Sequence, residues 1–167
     1  MLPRGFQWYT AVLGAIRIGA VPMPAPNILT ARDVAYRIDR GRAIAVVTDV
    51  AGIQKVDDGC AECATLRPRI GLGAGDRDGW HDFDAILDAA GDGPTPADPT
   101  AAADPMLLYF TSGTVGHPKM VLQPQSYALG HIGTARFWHD LRAGDLHWTI
   151  SDTGWAKAAY GALFGQW

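Results

Sequence analysis

The feature that most constrains this chain is an apolar run that feeds straight into a loop of hydroxyls and glycines ending on a lysine. Met106-Leu107-Leu108-Tyr109-Phe110 has the length and composition of a buried strand. Thr111-Ser112-Gly113-Thr114-Val115-Gly116-His117-Pro118-Lys119 follows at once. Glycines let backbone N–H groups turn toward an anion with no side chain in the way. Thr and Ser hydroxyls add donors, and the lysine adds a point charge. Met120-Val121-Leu122 then resumes a strand, so a hairpin should carry Lys119 back along the sheet. That order suits phosphate.

It is not a Walker A loop, which needs Gly-Lys followed directly by Ser or Thr. Here Pro118 precedes the lysine and Met120 follows it. An ordinary Gly/Ser turn would not require this order or the terminal Pro-Lys. Ser-Gly-Thr-x-Gly-x-Pro-Lys instead resembles the phosphate loop of the adenylate-forming (AMP-binding) superfamily. That superfamily spans acyl-CoA synthetases, luciferase and peptide-synthetase adenylation domains. Val115 departs from the Thr or Ser usual there and removes one hydroxyl. Further stretches resemble the medium-chain acyl-CoA synthetases within it: Leu2-Pro3-Arg4, Trp8, Leu13-Gly14 through Gly19-Ala20-Val21, and Trp148-Thr149-Ile150 with Ser151-Asp152-Thr153-Gly154-Trp155. The resemblance runs from Leu2 to Trp167 and is weakest from about Val50 to Ala103.

The resemblance implies a reaction. A carboxylate and ATP give an acyl-adenylate and pyrophosphate, and coenzyme A then takes the acyl group. The chemical problem is charge, because a carboxylate must approach an anionic phosphate. N–H groups, hydroxyls, a lysine and Mg²⁺ offset that repulsion. The residues implied to cradle the ATP phosphates are Thr111, Ser112, Gly113, Thr114, Val115, Gly116, His117, Pro118 and Lys119. Trp155 matches the tryptophan that gates the acyl tunnel, a role an indole can fill by rotamer change. The family's Tyr-Gly-x-Thr-Glu segment, its ribose-binding aspartate, hinge and C-terminal catalytic lysine find no match, and Lys157 is not that lysine. No catalytic residue and no metal ligand is therefore placed. Leu163-Phe164-Gly165-Gln166-Trp167 ends within an apolar pattern, which reads as truncation. Such a chain is expected to be inactive alone and to expose apolar faces that lead to association. Acetate, propionate or an aromatic acid are alternative substrates, and a non-catalytic nucleotide-binding remnant is the alternative of another class.

The expected fold is α/β: part of the large N-terminal domain of an acetyl-CoA-synthetase-like fold, with mostly parallel strands and crossover helices. Residues 1–49 read as α/β scaffold, 50–104 as a variable acidic segment and linker, and 105–167 as the phosphate loop and acyl gate. A helix is expected from Phe6, through Tyr9, Val12, Leu13 and Ile16, to a stop at Gly19. Val21-Pro22-Met23-Pro24 reads as extended. Thr30-Ala31-Arg32-Asp33 has capping-box form and should open a helix to about Arg40, with Val34 and Ile38 buried. Strands are expected at 43–47, around Ile70 and at 145–149. Trp80, Phe83, Leu87 and Ala90 keep helical spacing. Pro124 suits the first turn of a helix bearing Tyr127, His131, Ala135 and Trp138 on one face.

The bulk numbers exclude little else. A net charge of −3 with no basic block argues against nucleic acid. No run approaches the ~18 apolar residues of a membrane span, and no signal peptide precedes Phe6. From Gly73 to Asp104 there are eight Asp and one Arg, which reads as a solvated face. Cys60 and Cys63 form one C-x-x-C without a second pair, so two free thiols are expected. His131 and His139 read as packing or surface residues. A cytoplasmic location fits free thiols, or the mitochondrial matrix in a eukaryote.

Overall fold

A computed structural model describes residues 1–61, 63, 66–93, 99–112 and 116–166. The chain divides into two compact units, residues 1–3 with 26–96 and residues 4–25 with 97–167.

In the first unit, α2 (Ala31–Gly41) begins at the expected capping box. The Asp33 N–H donates to Thr30 Oγ1 at 3.2 Å, and the Thr30 N–H donates to Asp33 Oδ2 at 3.0 Å. Val34 and Ile38 are buried, as their spacing requires. The helix closes when the Ala43 N–H reaches the Ile38 carbonyl at 2.9 Å. That bond takes Ala43 for the cap, so β1 is Val46–Thr48 and starts later than the apolar run suggested. Helix α3 (Val50–Gly59) occupies the weakly patterned stretch where no element was expected. Asp49 caps it, accepting from the Gly52 N–H at 2.9 Å. Its glycines serve close approach: a Cβ on Gly59 would stand 2.4 Å from the Ala31 carbonyl oxygen.

Strand β2 (Arg69–Gly71) falls at Ile70 as expected, and β3 is His81–Asp82. The three form a parallel sheet in the order β1-β2-β3, with Val47 opposite Ile70 and Ile70 opposite His81. Helix α4 (Phe83–Ala89) starts three residues after Trp80, because Asp82 caps it and accepts from the Asp84 and Ala85 N–H groups at 3.1 Å. Asp76, Asp78, Asp84, Asp88 and Asp92 of the acidic stretch are exposed, the solvated face expected there, and the carboxylate that gathers donors in this unit lies before it. Asp57 accepts from Arg77 at 2.7 Å, Arg69 at 3.3 Å and Trp80 Nε1 at 3.0 Å.

In the second unit, α1 (Phe6–Arg17) buries Trp8 and Val12. It ends as Gly19 predicted: Gly19 has φ 71°, its N–H bonds Ile16, and the Ala20 N–H bonds Ala15 at 2.9 Å. Residues 21–24 run without helix or strand, and the Pro22 carbonyl accepts from the Leu108 N–H at 3.1 Å. Strands β4 (Pro105–Thr111) and β5 (Lys119–Pro124) form the expected hairpin. Met106, Leu107 and Tyr109 of β4 are buried against Ala159, with Ile16, Tyr127, Ala156 and Phe164 packed around them.

Two expectations fail here. Pro124 ends β5 rather than opening a helix, and α5 is Tyr127–Phe137, with Ser126 at the N-cap position but making no side-chain capping bond. Pro124 can hold that place because the last residue of a strand need not donate to the ladder. Residues 145–149 form no strand. Leu146, Trp148 and Ile150 are exposed, while His147 and Thr149 turn inward to the Gly161 carbonyl of α6 (Ala156–Ala162). The alternation of a strand is present, but no neighbouring strand pairs with it among the described residues. Leu129, Ile132, Phe137 and Trp138 are likewise exposed apolar side chains. No helix among the described residues is long and apolar enough to cross a membrane.

Candidate functional site at the β4–β5 loop

The site rests on the hairpin register. Phe110 pairs with Met120 and Thr111 with Lys119, so the loop is pinned at both feet by the ladder. The Thr111 hydroxyl donates to the Lys119 carbonyl at 3.4 Å and ties the same two residues again. Beneath them, β4 is anchored by Leu107, which is wholly buried. Burial against the core also pushes the Tyr109 hydroxyl well above its ordinary ionisation range, with Tyr127 adding to the effect, so it stays protonated.

Of the nine loop residues expected to cradle phosphate, six are described. Thr111, Ser112, Gly116, His117 and Lys119 are exposed, and Pro118 is half-buried. Gly113, Thr114 and Val115 lie outside the described residues. Gly116 adopts φ 90°, a conformation that a side chain would strain, and nothing lies within 4 Å of where its Cβ would be. Lys119 has no ion pair among the described residues. The donor set is therefore hydroxyls, an unhindered glycine backbone and one lysine, presented to solvent from a fixed base. That set fits an anionic phosphate tail. It contains no carboxylate, so it assigns no ligand to Mg²⁺.

Trp155 stands at the N-cap of α6 with extended backbone and is 60% exposed. Its N–H bonds the Asp152 carbonyl at 3.1 Å, while Asp152 Oδ1 accepts from the Gly154 N–H at 2.8 Å. The turn before the indole is thus held by its own aspartate, and the ring remains uncovered. Helix α6 packs through Ala156 and Ala159 on the β4 cluster, so gate candidate and loop share one support. Beside this turn is a cavity of about 370 Å³ lined by Trp8, Trp148, Thr149, Ser151 and Thr153 among others.

His131 and His139 were expected to be packing or surface residues, and both make ring contacts within the fold. His131 lies 4.4 Å from the Tyr127 ring, edge-on, and stacks on Tyr160 at 5.2 Å. His139 Nδ1 accepts from Gln166 Nε2 at 3.1 Å and lies 4.9 Å from the His147 ring. His147 was not singled out by sequence. Its bond to the Gly161 carbonyl, at 2.7 Å, fastens the 145–149 segment to α6. Only its inward phase opposite Leu146 and Trp148 could have signalled that.

The exposed loop thus stands between two paired strands on an α/β framework, and comparison with known proteins gives that framework a family. The AMP-binding enzyme family model matches residues 1–165, and the chain belongs to that family. Among curated relatives it is 36% identical over its whole length to the mitochondrial acyl-coenzyme A synthetase ACSM4 of Mus musculus. It is 37% identical to the mitochondrial acyl-coenzyme A synthetase ACSM5 of Homo sapiens. The chain spans 29% of the length of each of these relatives. Among solved structures it matches an acyl-CoA synthetase of Brucella canis with TM-score 0.85 and 29% identity, covering 98% of this chain and 30% of that one. It matches the acetoacetyl-CoA synthetase of Streptomyces lividans with TM-score 0.86 and 25% identity, over 98% of this chain and 28% of that one. The α/β arrangement is thus that of part of the acyl-CoA synthetase fold.

Proposed function

We propose that this chain is part of the N-terminal AMP-binding domain of an ATP-dependent acyl-CoA synthetase, an acid–thiol ligase, and supplies its triphosphate cradle. Residues 1–49 serve as scaffold, 50–104 as the variable acidic segment, and 105–167 as the phosphate loop and acyl gate. The reaction joins a carboxylic acid to ATP as an acyl-adenylate with release of pyrophosphate, then transfers the acyl group to coenzyme A. A medium-chain fatty acid is the favoured substrate, with acetate, propionate and aromatic acids as alternatives. The observation that carries this reading is the pinned Thr111–Lys119 pair beneath an exposed loop of hydroxyls and glycine.

In this role Ser112, Thr114 and the loop N–H groups donate to the β- and γ-phosphate oxygens, and Lys119 offsets their charge. Pro118 stiffens the return to the sheet. ATP would enter with Mg²⁺, which lowers the repulsion between carboxylate and phosphate. Trp155 admits or blocks the acyl chain by rotamer change. The cytoplasm, or the mitochondrial matrix, is the compartment proposed.

The test is acid-dependent pyrophosphate release, measured on a protein of the relatives' length that contains these residues, across acids of rising chain length. A maximum at medium chains supports the reading, whereas turnover only with acetate or benzoate moves it to the alternatives. No release with any acid, together with retained ATP binding, points to the non-catalytic remnant. The 167-residue chain run alongside is expected to release none.

A further inference from the structure

The C-x-x-C pair lies outside everything the phosphate loop explains, and its surroundings are specific. Cys60 follows the last turn of α3 and is fully buried, while Cys63 is half-buried, and both are free thiols. The Cys63 N–H bonds the Cys60 carbonyl at 3.0 Å, closing a four-residue turn. Such a turn holds its end Cα atoms within about 7 Å, the range a disulfide spans. Cys63 also lines a cavity of about 360 Å³ with Arg67, Arg69, Trp80 and His81. Arg69 is tied to Asp57 at 3.3 Å and to the Cys60 carbonyl at 3.1 Å, whereas Arg67 has no ion pair among the described residues. The half-open thiol therefore faces a cationic pocket with room for a small anionic molecule.

We propose that Cys60 and Cys63 are a reversible dithiol–disulfide pair, oxidised by an anionic low-molecular-weight disulfide that docks against Arg67 and His81. In the first step the Cys63 thiolate attacks one sulfur of the incoming disulfide. A mixed disulfide forms on Cys63 and one small thiolate leaves. In the second step Cys60 attacks the Cys63 sulfur, the second small thiol leaves carrying the Cys60 proton, and the protein disulfide closes. Two protein thiols are oxidised and one small disulfide is reduced to two thiols. Burial fixes the order. It pushes the Cys60 thiol up to about 12, with the Cys63 side chain adding to the effect, so Cys60 is protonated at neutral pH and acts second. Closure is then the slow step, and it should speed up roughly tenfold per pH unit as the Cys60 thiolate fraction grows.

The experiment is intact-mass analysis of the reduced 167-residue chain incubated with glutathione disulfide, beside the uncharged 2-hydroxyethyl disulfide. The expected course is a one-glutathione adduct that converts to a chain two hydrogens lighter. Cys60→Ala should stop at the adduct, mapped to Cys63 by peptide digestion, and Cys63→Ser should give no product. Arg67→Ala should slow glutathione disulfide roughly threefold or more and leave the uncharged reagent unaffected. Circular dichroism on each variant separates lost reactivity from lost fold. An unreactive wild-type chain, equal reaction of Cys63→Ser when folded, or equal slowing of both reagents by Arg67→Ala each overturns the proposal.

Discussion

Two groups of polar side chains, one in each unit, are used in opposite ways. In the first, four aspartates are committed to the fold. Asp33 and Asp49 cap helices, Asp82 caps α4 and also accepts from the Gly75 N–H at 3.0 Å, and Asp57 gathers Arg69, Arg77 and Trp80. In the second, Thr111, Ser112 and Lys119 stay exposed above a hairpin packed on Met106, Leu107 and Tyr109. The difference separates side chains spent on helix caps and ion pairs from side chains left facing solvent. A carboxylate at an N-cap has already found its donors, whereas the Lys119 ammonium has no ion-pair acceptor among the described residues.

That contrast can be broken by substitution. The largest effect should come from Gly59→Ala, whose new Cβ would meet the Ala31 carbonyl oxygen at 2.4 Å. We expect a loss of about 3 kcal/mol, read by urea denaturation. Asp57→Ala should follow at about 2 kcal/mol, because Arg69, Arg77 and Trp80 lose their shared acceptor together. Lys119→Ala should leave the denaturation midpoint in place and weaken ATP binding about tenfold, or 1.4 kcal/mol. If it instead costs as much stability as Asp57→Ala, the division between holding and binding residues is wrong.

The smallest effect sharpens the comparison within the second unit. Burial lowers the His139 value from 6.5, with His147 and Lys157 adding repulsion, so the folded state disfavours the charged ring. The folded value lies below the unfolded one. Stability is therefore fully present above about pH 6.5 and falls as the pH drops from there toward the folded value. His139→Gln should flatten the melting temperature between pH 7 and pH 5, and an unchanged slope would show that other groups carry it. In the first unit Asp33 has the same proton preference, but there the deprotonated form that the fold favours is the charged one. Its bonds from Thr30 hold its carboxyl below 3.8, so its contribution persists until the pH falls through the acid range.

Much of this was legible because local chemistry decides it. The Thr30–Asp33 box, the Gly19 stop and the β4–loop–β5 order each rest on signals a few residues long, and each formed. The failures share a different origin. Helix α3 was invisible because Gly52 and Gly59, placed for close approach to Thr48 and Ala31, diluted its apolar period. The 145–149 segment has the right alternation, but a strand needs a partner, and alternation says nothing about one. Arg67, Arg69 and His81 gave no sign of sharing a cavity, since only the parallel pairing of β2 with β3 brings them together. At the site itself, the loop motif named its residues, whereas the knot of His147, Thr149 and Gly161 that secures α6 depends on contacts far apart in sequence.

The most direct test is calorimetric titration of the chain with ATP and with AMP, repeated on Lys119→Ala. A loop built for the triphosphate tail predicts that ATP binds more tightly than AMP and that Lys119→Ala removes most of that difference while leaving AMP unaffected. Equal affinity for the two nucleotides, or an ATP preference that survives the loss of Lys119, would contradict it.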